Sequence, residues 1–186
     1  MPVVVQGELP WHLQTRQMAL CPGKRTRFKD TDATCLEIGL VNNMPDSALE
    51  QTERQFLSRI EAASGTMPIR LRLYALPGIP RSDRGKCHIG RYYSSLDDLR
   101  SASLDALIIT GTEPRAANLR DEPYWPNLGE LFDWAERNTI STFLSCLAAH
   151  AAVLHADGVS RHALGEKSFG VFDHIVTTDH PLARRK

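Results

Sequence analysis

From residue 35 onward, short apolar runs alternate with longer amphipathic stretches. "CLEIGLV" (35–41) is an apolar run of strand length, closed by the turn formers "NNMP". "DSALEQTERQFLSRIEAAS" (46–64) places Leu49, Phe56, Leu57 and Ile60 on one helical face, and Gly65 stops it. "IRLRLYAL" (69–76) alternates with period two, which predicts a strand. "SSLDDLRSA" (94–102) predicts a short helix with a serine cap. "DALIIT" (105–110) is a strand running into "GTEP", and "YWPNLGELFDWAERN" (124–138) is a helix with Leu128, Leu131, Phe132 and Trp134 as its apolar surface. "ISTFLS" (140–145) is the next strand and "CLAAHAAVLHADG" (146–158) the next helix.

Two segments break the alternation. Residues 1–34 are rich in turn formers (Pro2, Pro10, Pro22, Gly23) and read as an N-terminal arm with a little structure of its own. Residues 77–94, "PGIPRSDRGKCHIGRYYS", read as a long basic loop, a length that suggests function or mobility in a compact domain. Strand–helix alternation over the rest implies an α/β fold with a mainly parallel sheet flanked by helices. With no internal repeat or linker, residues 35–186 read as one domain.

Composition narrows the functional classes. Lys plus Arg and Asp plus Glu stand at 22 each, so charge offers no argument for a nucleic acid or an anionic membrane as partner. The terminal "ARRK" reads as a solvated tail. Cys21, Cys35, Cys87 and Cys146 are scattered with no CxxC pair, which argues against a zinc knuckle or a thioredoxin-like motif. The start, "MPVVVQGELPWHL", does not have the pattern of a secretory signal, and no apolar run approaches the length of a membrane span. The expectation is a cytoplasmic protein with free thiols, no metal and no cofactor.

Cys146 is the candidate for chemistry. It sits where a predicted strand ends and a predicted helix begins, the end of a parallel sheet where ligands collect. Free N–H groups and the dipole of a helix N-terminus favour a thiolate there and can hold an oxyanion. The arrangement is that of a nucleophile elbow, although "LSCLA" lacks the usual flanking glycines. The other reading stays open, since a lone cysteine in an apolar run is often a small buried filler. His150 follows one helical turn later, but on a helix leaving the elbow its side chain need not meet the thiol, and His155 reads as packing or surface.

Several ordered blocks carry a family likeness. "IGLVNNMPDSALEQTERQFLSRI" (38–60), "DALIITGTEP" (105–114), "DEPYWPNLGELFDWAERNTISTFLSCLAAHAAV" (121–153) and "EKSFGVFDHIV" (166–176) together resemble homoserine O-acyltransferases of the succinyltransferase type. The resemblance implies a class I glutamine-amidotransferase-like fold with flavodoxin-like layering. It implies that Cys146 accepts an acyl group from succinyl-CoA or acetyl-CoA as a thioester and passes it to the hydroxyl of L-homoserine, in methionine biosynthesis. Homoserine and acyl-CoA would then be the small-molecule partners, acyl-CoA as a substrate rather than a cofactor, and a homodimer is compatible with it. The alternative is a truncated relative, catalytically impaired, that keeps only the fold or ligand binding. A cysteine hydrolase on the same scaffold is disfavoured by the missing elbow glycines.

The chain departs from the family pattern in three places. The family's later "HPE" motif, which supplies the catalytic histidine and glutamate, has no match; "DHPLARRK" has Leu182 where Glu would stand, so His180 is not assigned as the base. The likeness therefore implies that the C-terminal part is lacking and that the sheet has an exposed edge. Asp46 and Ser47 stand where the family often has lysines after "NxMP". Arg115 stands at the position of the loop after "GT" that helps choose the acyl group; it would either pair with a succinyl carboxylate or point into solvent.

Overall fold

The computed structural model describes residues 3–5, 35–162, 164–166, 170–173, 175–177 and 179. Their core is a parallel sheet of five strands: β1 (Val3–Val5), β2 (Leu36–Val41), β3 (Ile69–Tyr74), β4 (Ala106–Thr110) and β5 (Ser141–Ser145). The spatial order is β1-β3-β2-β4-β5, and the registers run Ile38 to Leu71, Leu40 to Ile108 and Ile108 to Phe143. The expected α/β fold with a parallel sheet is present. The chain passes from β2 to β3 on one side and returns to β4 on the other. That reversal opens a crevice at the carboxyl ends of β2 and β4.

Both faces of β2 and β4 are covered, which is why these two strands read as nearly continuous apolar runs. On one face α1 (Leu49–Ser64) lays Leu57, with Phe56 and Ile60, over Leu40, Leu71, Leu73 and Ile108. On the other, α3 (Leu96–Ser101), α4 (Trp125–Asn138) and α5 (Leu147–Asp157) cover Val41, Tyr74, Leu107 and Ile109. Leu40 and Val41 are consecutive and point to opposite faces, yet both are fully buried. The helix ends follow their local chemistry. Ser95 and Asp98 form a reciprocal capping box, Pro126 sits in the first turn of α4, and Gly158 ends α5 with φ 69°.

One segment corrects the sequence reading. Within the basic "loop" 77–94, residues Asp83–Tyr92 form a helix, α2. Ser82 caps it, accepting from the Gly85 N–H, but Gly85 is its only buried residue. A helix so largely exposed has no apolar stripe to announce it, and its two internal glycines imitate a loop. The expectation of free thiols also fails at one position: Cys35 is disulfide-bonded, while Cys87 and Cys146 are free and exposed. Among the described residues no helix is long and apolar enough to cross a membrane.

A buried amide ties the strand ends together. The Asn43 backbone N–H donates to Thr110 Oγ1 (2.8 Å), its Nδ2 donates to the Thr110 carbonyl (2.9 Å), and its Oδ1 accepts from the Leu76 N–H (3.1 Å). One side chain thus joins the ends of β2, β3 and β4 across the crevice. Replacing Asn43 by Ala leaves the Leu76 N–H and the Thr110 carbonyl without this partner in a buried place. The expected loss is about 3 kcal/mol of folding stability. Urea unfolding should show a lower midpoint at unchanged slope.

Candidate active site

β5 ends at Ser145 and α5 begins at Leu147, with Cys146 between them at φ 59°, ψ −129°. Among the described residues it is the only non-glycine with positive φ. Such a conformation costs on the order of 1–3 kcal/mol and persists only where the surroundings hold it. Two bonds do so: the Gly111 N–H donates to the Ser145 carbonyl (3.0 Å), and the Ala149 N–H donates to the Cys146 carbonyl (3.1 Å). Gly111, just past β4, also needs to lack a side chain. A Cβ there would lie 2.6 Å from both the backbone nitrogen and the Cβ of Leu147. The strand–sharp turn–helix geometry of an elbow is therefore present without glycines beside the cysteine. The glycine that makes room comes from the neighbouring strand.

The Cys146 side chain is exposed, and among the described residues no side chain caps the start of α5. The N–H groups of Leu147 and Ala148 fall in the first turn, where no intrahelical acceptor exists. A thiol therefore stands beside backbone donors that can receive developing negative charge. A narrow apolar hollow runs under this turn, lined by Asn43, Thr110, Gly111, Thr112, Leu147 and Tyr124. The Tyr124 hydroxyl is buried without a hydrogen-bond partner among the described residues. Burial first, and then the Glu122 carboxylate, push its phenol up to about 12, with Arg161 acting the other way.

The loop after "GT" is pinned from below. Buried Glu122 accepts from the backbone N–H groups of both Arg115 and Ala116 (2.7 Å for Ala116). The Arg115 side chain is exposed, and its guanidinium forms no ion pair among the described residues. Asp46 has structural partners. Its carboxylate accepts from Arg81 (3.2 Å) and from the Ser82 N–H (2.7 Å), fixing the start of α2. Gly85 leaves the room for it, since a Cβ there would meet the Asp46 carboxylate at 2.3 Å. Behind this lies a buried polar chain. Asn42 Nδ2 donates to the Leu49 carbonyl and to the Tyr93 hydroxyl, Tyr93 donates to Glu53 Oε1 (2.6 Å), and His88 Nε2 meets the same oxygen (2.7 Å). Burial, reinforced by Glu53, drives the Tyr93 phenol far above its ordinary range.

Among the described residues, no histidine is hydrogen-bonded to the thiol. His150 is exposed on α5, and His155 pairs with Asp133 (2.7 Å) beside Trp125 and Phe132, the surface packing role expected of it. His174 and His180 lie outside the described residues. No hydrogen bond reaches the Cys146 thiol from any described residue, and the described residues hold no cluster able to bind a metal ion. The asparagines of "NNMP", Glu122 and Arg81 were not singled out by sequence. An asparagine or acid in a turn-rich stretch reads as solvated until the fold buries it.

With this geometry in place, the matches to known proteins become informative. The family model for homoserine O-succinyltransferase matches residues 2–185. The chain belongs to the homoserine O-succinyltransferase family. It is 53% identical over 158 residues to a homoserine O-succinyltransferase of Rhodopseudomonas palustris, covering 85% of this chain and 47% of that protein. The Thiothrix nivea enzyme of the same name is 41% identical over 183 residues, 98% of this chain and 51% of its own length. That of Bradyrhizobium japonicum is 48% identical over 162 residues, 87% and 50%. The chain thus spans about half the length of the homoserine O-succinyltransferases it matches.

Two outcomes follow from the site. Gly111→Ala forces Leu147 away and removes the fit of the elbow; overpacking of this kind costs about 1–3 kcal/mol. Limiting iodoacetamide with peptide mapping should label Cys146 ahead of the equally free Cys87 in the unaltered chain, and that preference should fall in Gly111→Ala. Asp46 gives an acid-limb test. Burial raises its carboxyl, but the hydrogen bonds from Ser82 and Arg81 together outweigh burial and hold it below the usual range. A depressed folded value means stability that is present above the unfolded value of about 3.9 and is lost as pH falls through the folded one. Thermal melts of Asp46→Asn should therefore lose part of their dependence on pH below about 4, and be lower than the unaltered chain at neutral pH.

Proposed function

We propose that this chain carries out acyl transfer through a Cys146 thioester, taking succinyl from succinyl-CoA toward the hydroxyl of L-homoserine, a step in methionine biosynthesis in the cytoplasm. The observation that supports it most is the exposed thiol held at positive φ between a strand end and an uncapped helix N-terminus. The Cys146 thiolate attacks the thioester carbonyl carbon, and the carbonyl oxygen takes up negative charge. The first-turn N–H groups of α5, which have no intrahelical acceptor, are the donors proposed to receive that charge. Collapse breaks the bond to the CoA sulfur, which leaves as a thiolate and takes a proton from solvent. The product is an S-acyl cysteine and free CoA.

The second half-reaction asks for more. The homoserine hydroxyl adds to the S-acyl carbonyl, its proton passes to a base, and the Cys146 thiolate leaves. A positioned base contributes about 10²- to 10⁴-fold. No described histidine is bonded to the thiol, which favours the reading that this chain by itself stops near the acyl-enzyme. Arg115 is proposed as the succinyl carboxylate's partner. Its loop is fixed at the backbone by Glu122 while its guanidinium is left without an ion pair among the described residues.

The test is CoA release from succinyl-CoA and acetyl-CoA, with mass spectrometry of the chain. About one equivalent should be released slowly, with the acyl group on Cys146. Cys146→Ala should abolish it, and Arg115→Gly should reduce the preference for succinyl. Acylation elsewhere in the chain, or none, would overturn the proposal; sustained homoserine-dependent turnover would overturn the stop at the acyl-enzyme.

A further inference from the structure

The proposed acyl donor is much larger than the space beneath the elbow. The hollow under the first turn of α5 has a volume of about 10 Å³, room for one water-sized group. Past Leu76 and Ile79, which line both spaces, a groove of about 670 Å³ opens between α2 and α3. That volume suits a ligand of cofactor size. The first turn of α4 stands between the two: Trp125 and Leu128 line the hollow, and Asn127 lines the groove. Both spaces lie past the carboxyl ends of strands, the groove beyond β3 and the hollow beyond β4 and β5.

The groove has two kinds of lining. Leu76, Ile79, Ile89 and Leu96 make part of it apolar. Arg81, Lys86 from α2 and Arg100 from α3 make it cationic, against Asp97 as the one acid among its described lining residues. Arg81 is buried, donating from its Nη atoms to the Met44 and Asn42 carbonyls and to Asp46, while its Nε has no partner among the described residues. Lys86 pairs with Asp83 (3.4 Å), and Arg100 with Asp97 (3.2 Å) and Glu130 (2.8 Å). All three acids are well exposed, and exposed pairs contribute little, so both cations can exchange them for phosphate. Arg81 and Lys86 belong to the stretch 77–94 whose basic character stood out in the sequence.

We propose that this groove seats the phosphorylated nucleotide end of the acyl-CoA donor, with Lys86 and Arg100 on its phosphates. The inference rests on the acyl-transfer reading and adds where the far end of the donor lies. CoA joins its thioester to the nucleotide through a long pantetheine arm, and the strand order supplies a span for it. β2 and β4 lie between β3 and β5, so the ends of those two strands are about 14 Å apart at ordinary strand spacing. An extended arm bridges that distance, with the thioester at Cys146 and the nucleotide past β3. Leu76 and Ile79 offer apolar ground along the way. The reacting end of the donor asks for a narrow site beside the thiol and its other end for a wide cationic one, and the hollow and the groove have those characters in that order.

The experiment titrates the whole chain carrying Cys146→Ala, so that no chemistry follows binding, with CoA, adenosine bisphosphate (the nucleotide fragment of CoA) and ATP by calorimetry. CoA should bind, the bisphosphate should compete with it, and the affinity should fall as salt rises. Lys86→Ala and, independently, Arg100→Ala should each weaken CoA binding about fivefold or more. Both side chains reach the surface, so the variants should keep the circular dichroism of the unaltered chain. With Cys146 intact, succinyl-CoA should acylate faster than the succinyl thioester of N-acetylcysteamine, which has no nucleotide, and each variant should shrink that lead about fivefold. Absence of CoA binding, affinity or a lead that both variants leave as it was, or ATP bound as tightly as CoA would overturn the proposal. If neither thioester acylates Cys146 while CoA binding still depends on Lys86 and Arg100, the acyl-transfer reading fails and the groove assignment holds.

Discussion

The Asn43 side chain is the constraint on which the site depends. It holds the ends of β2, β3 and β4 with two hydrogen bonds from its amide, and its own backbone N–H adds a third to Thr110. A parallel sheet fixes strand spacing but leaves the departing loops free to diverge, especially at a crevice where the order reverses. A buried amide with fixed partners removes that freedom, because each alternative position strands a donor or acceptor away from water. Thr110 is thereby located, and Gly111 with it. Asn42, one residue earlier, points the other way and secures α1 through the Leu49 carbonyl and the Tyr93–Glu53 pair. Two adjacent polar residues thus govern the two sides of the strand end.

The elbow inherits its geometry from this arrangement. Cys146 has no neighbouring glycine to relieve its backbone, so its positive φ is held by contacts made elsewhere. Gly111 supplies both the bond to Ser145 and the space for Leu147. The thiol's placement is therefore set by β4 more than by its own local sequence. A search for glycines beside the cysteine misses this, because the required glycine lies far away in the chain and close in space.

The same logic explains what could be read from sequence. The four longer strands and four of the helices were legible because burial on one or both faces imposes apolar runs or stripes. Cys146 was legible because a junction between those patterns is visible without any structure. α2 was not, since only Gly85 of its residues is buried and it is held by polar bonds from Asp46 and Ser82. Asn42, Asn43, Glu53 and Glu122 were equally hidden. Each is a polar residue whose role appears only when the fold withdraws it from water, and the hydrophobic pattern carries no record of that.

The placement of Cys146 on the boundary strand has a mechanical consequence. Strand β5 is anchored from one side, through its ladder to β4 and through Gly111, while Phe143 and Ile140 face outward. A nucleophile at a strand end needs its position fixed before it needs a partner, and one anchored side with a packed helix supplies that. The groups that would move protons are a different requirement, because a base must approach the thiol from a direction that the β4 side does not occupy. The part of the site that fixes the sulfur is built by Gly111 before it in the chain and by the first turn of α5 after it, and the side away from β4 is where any further group would have to arrive.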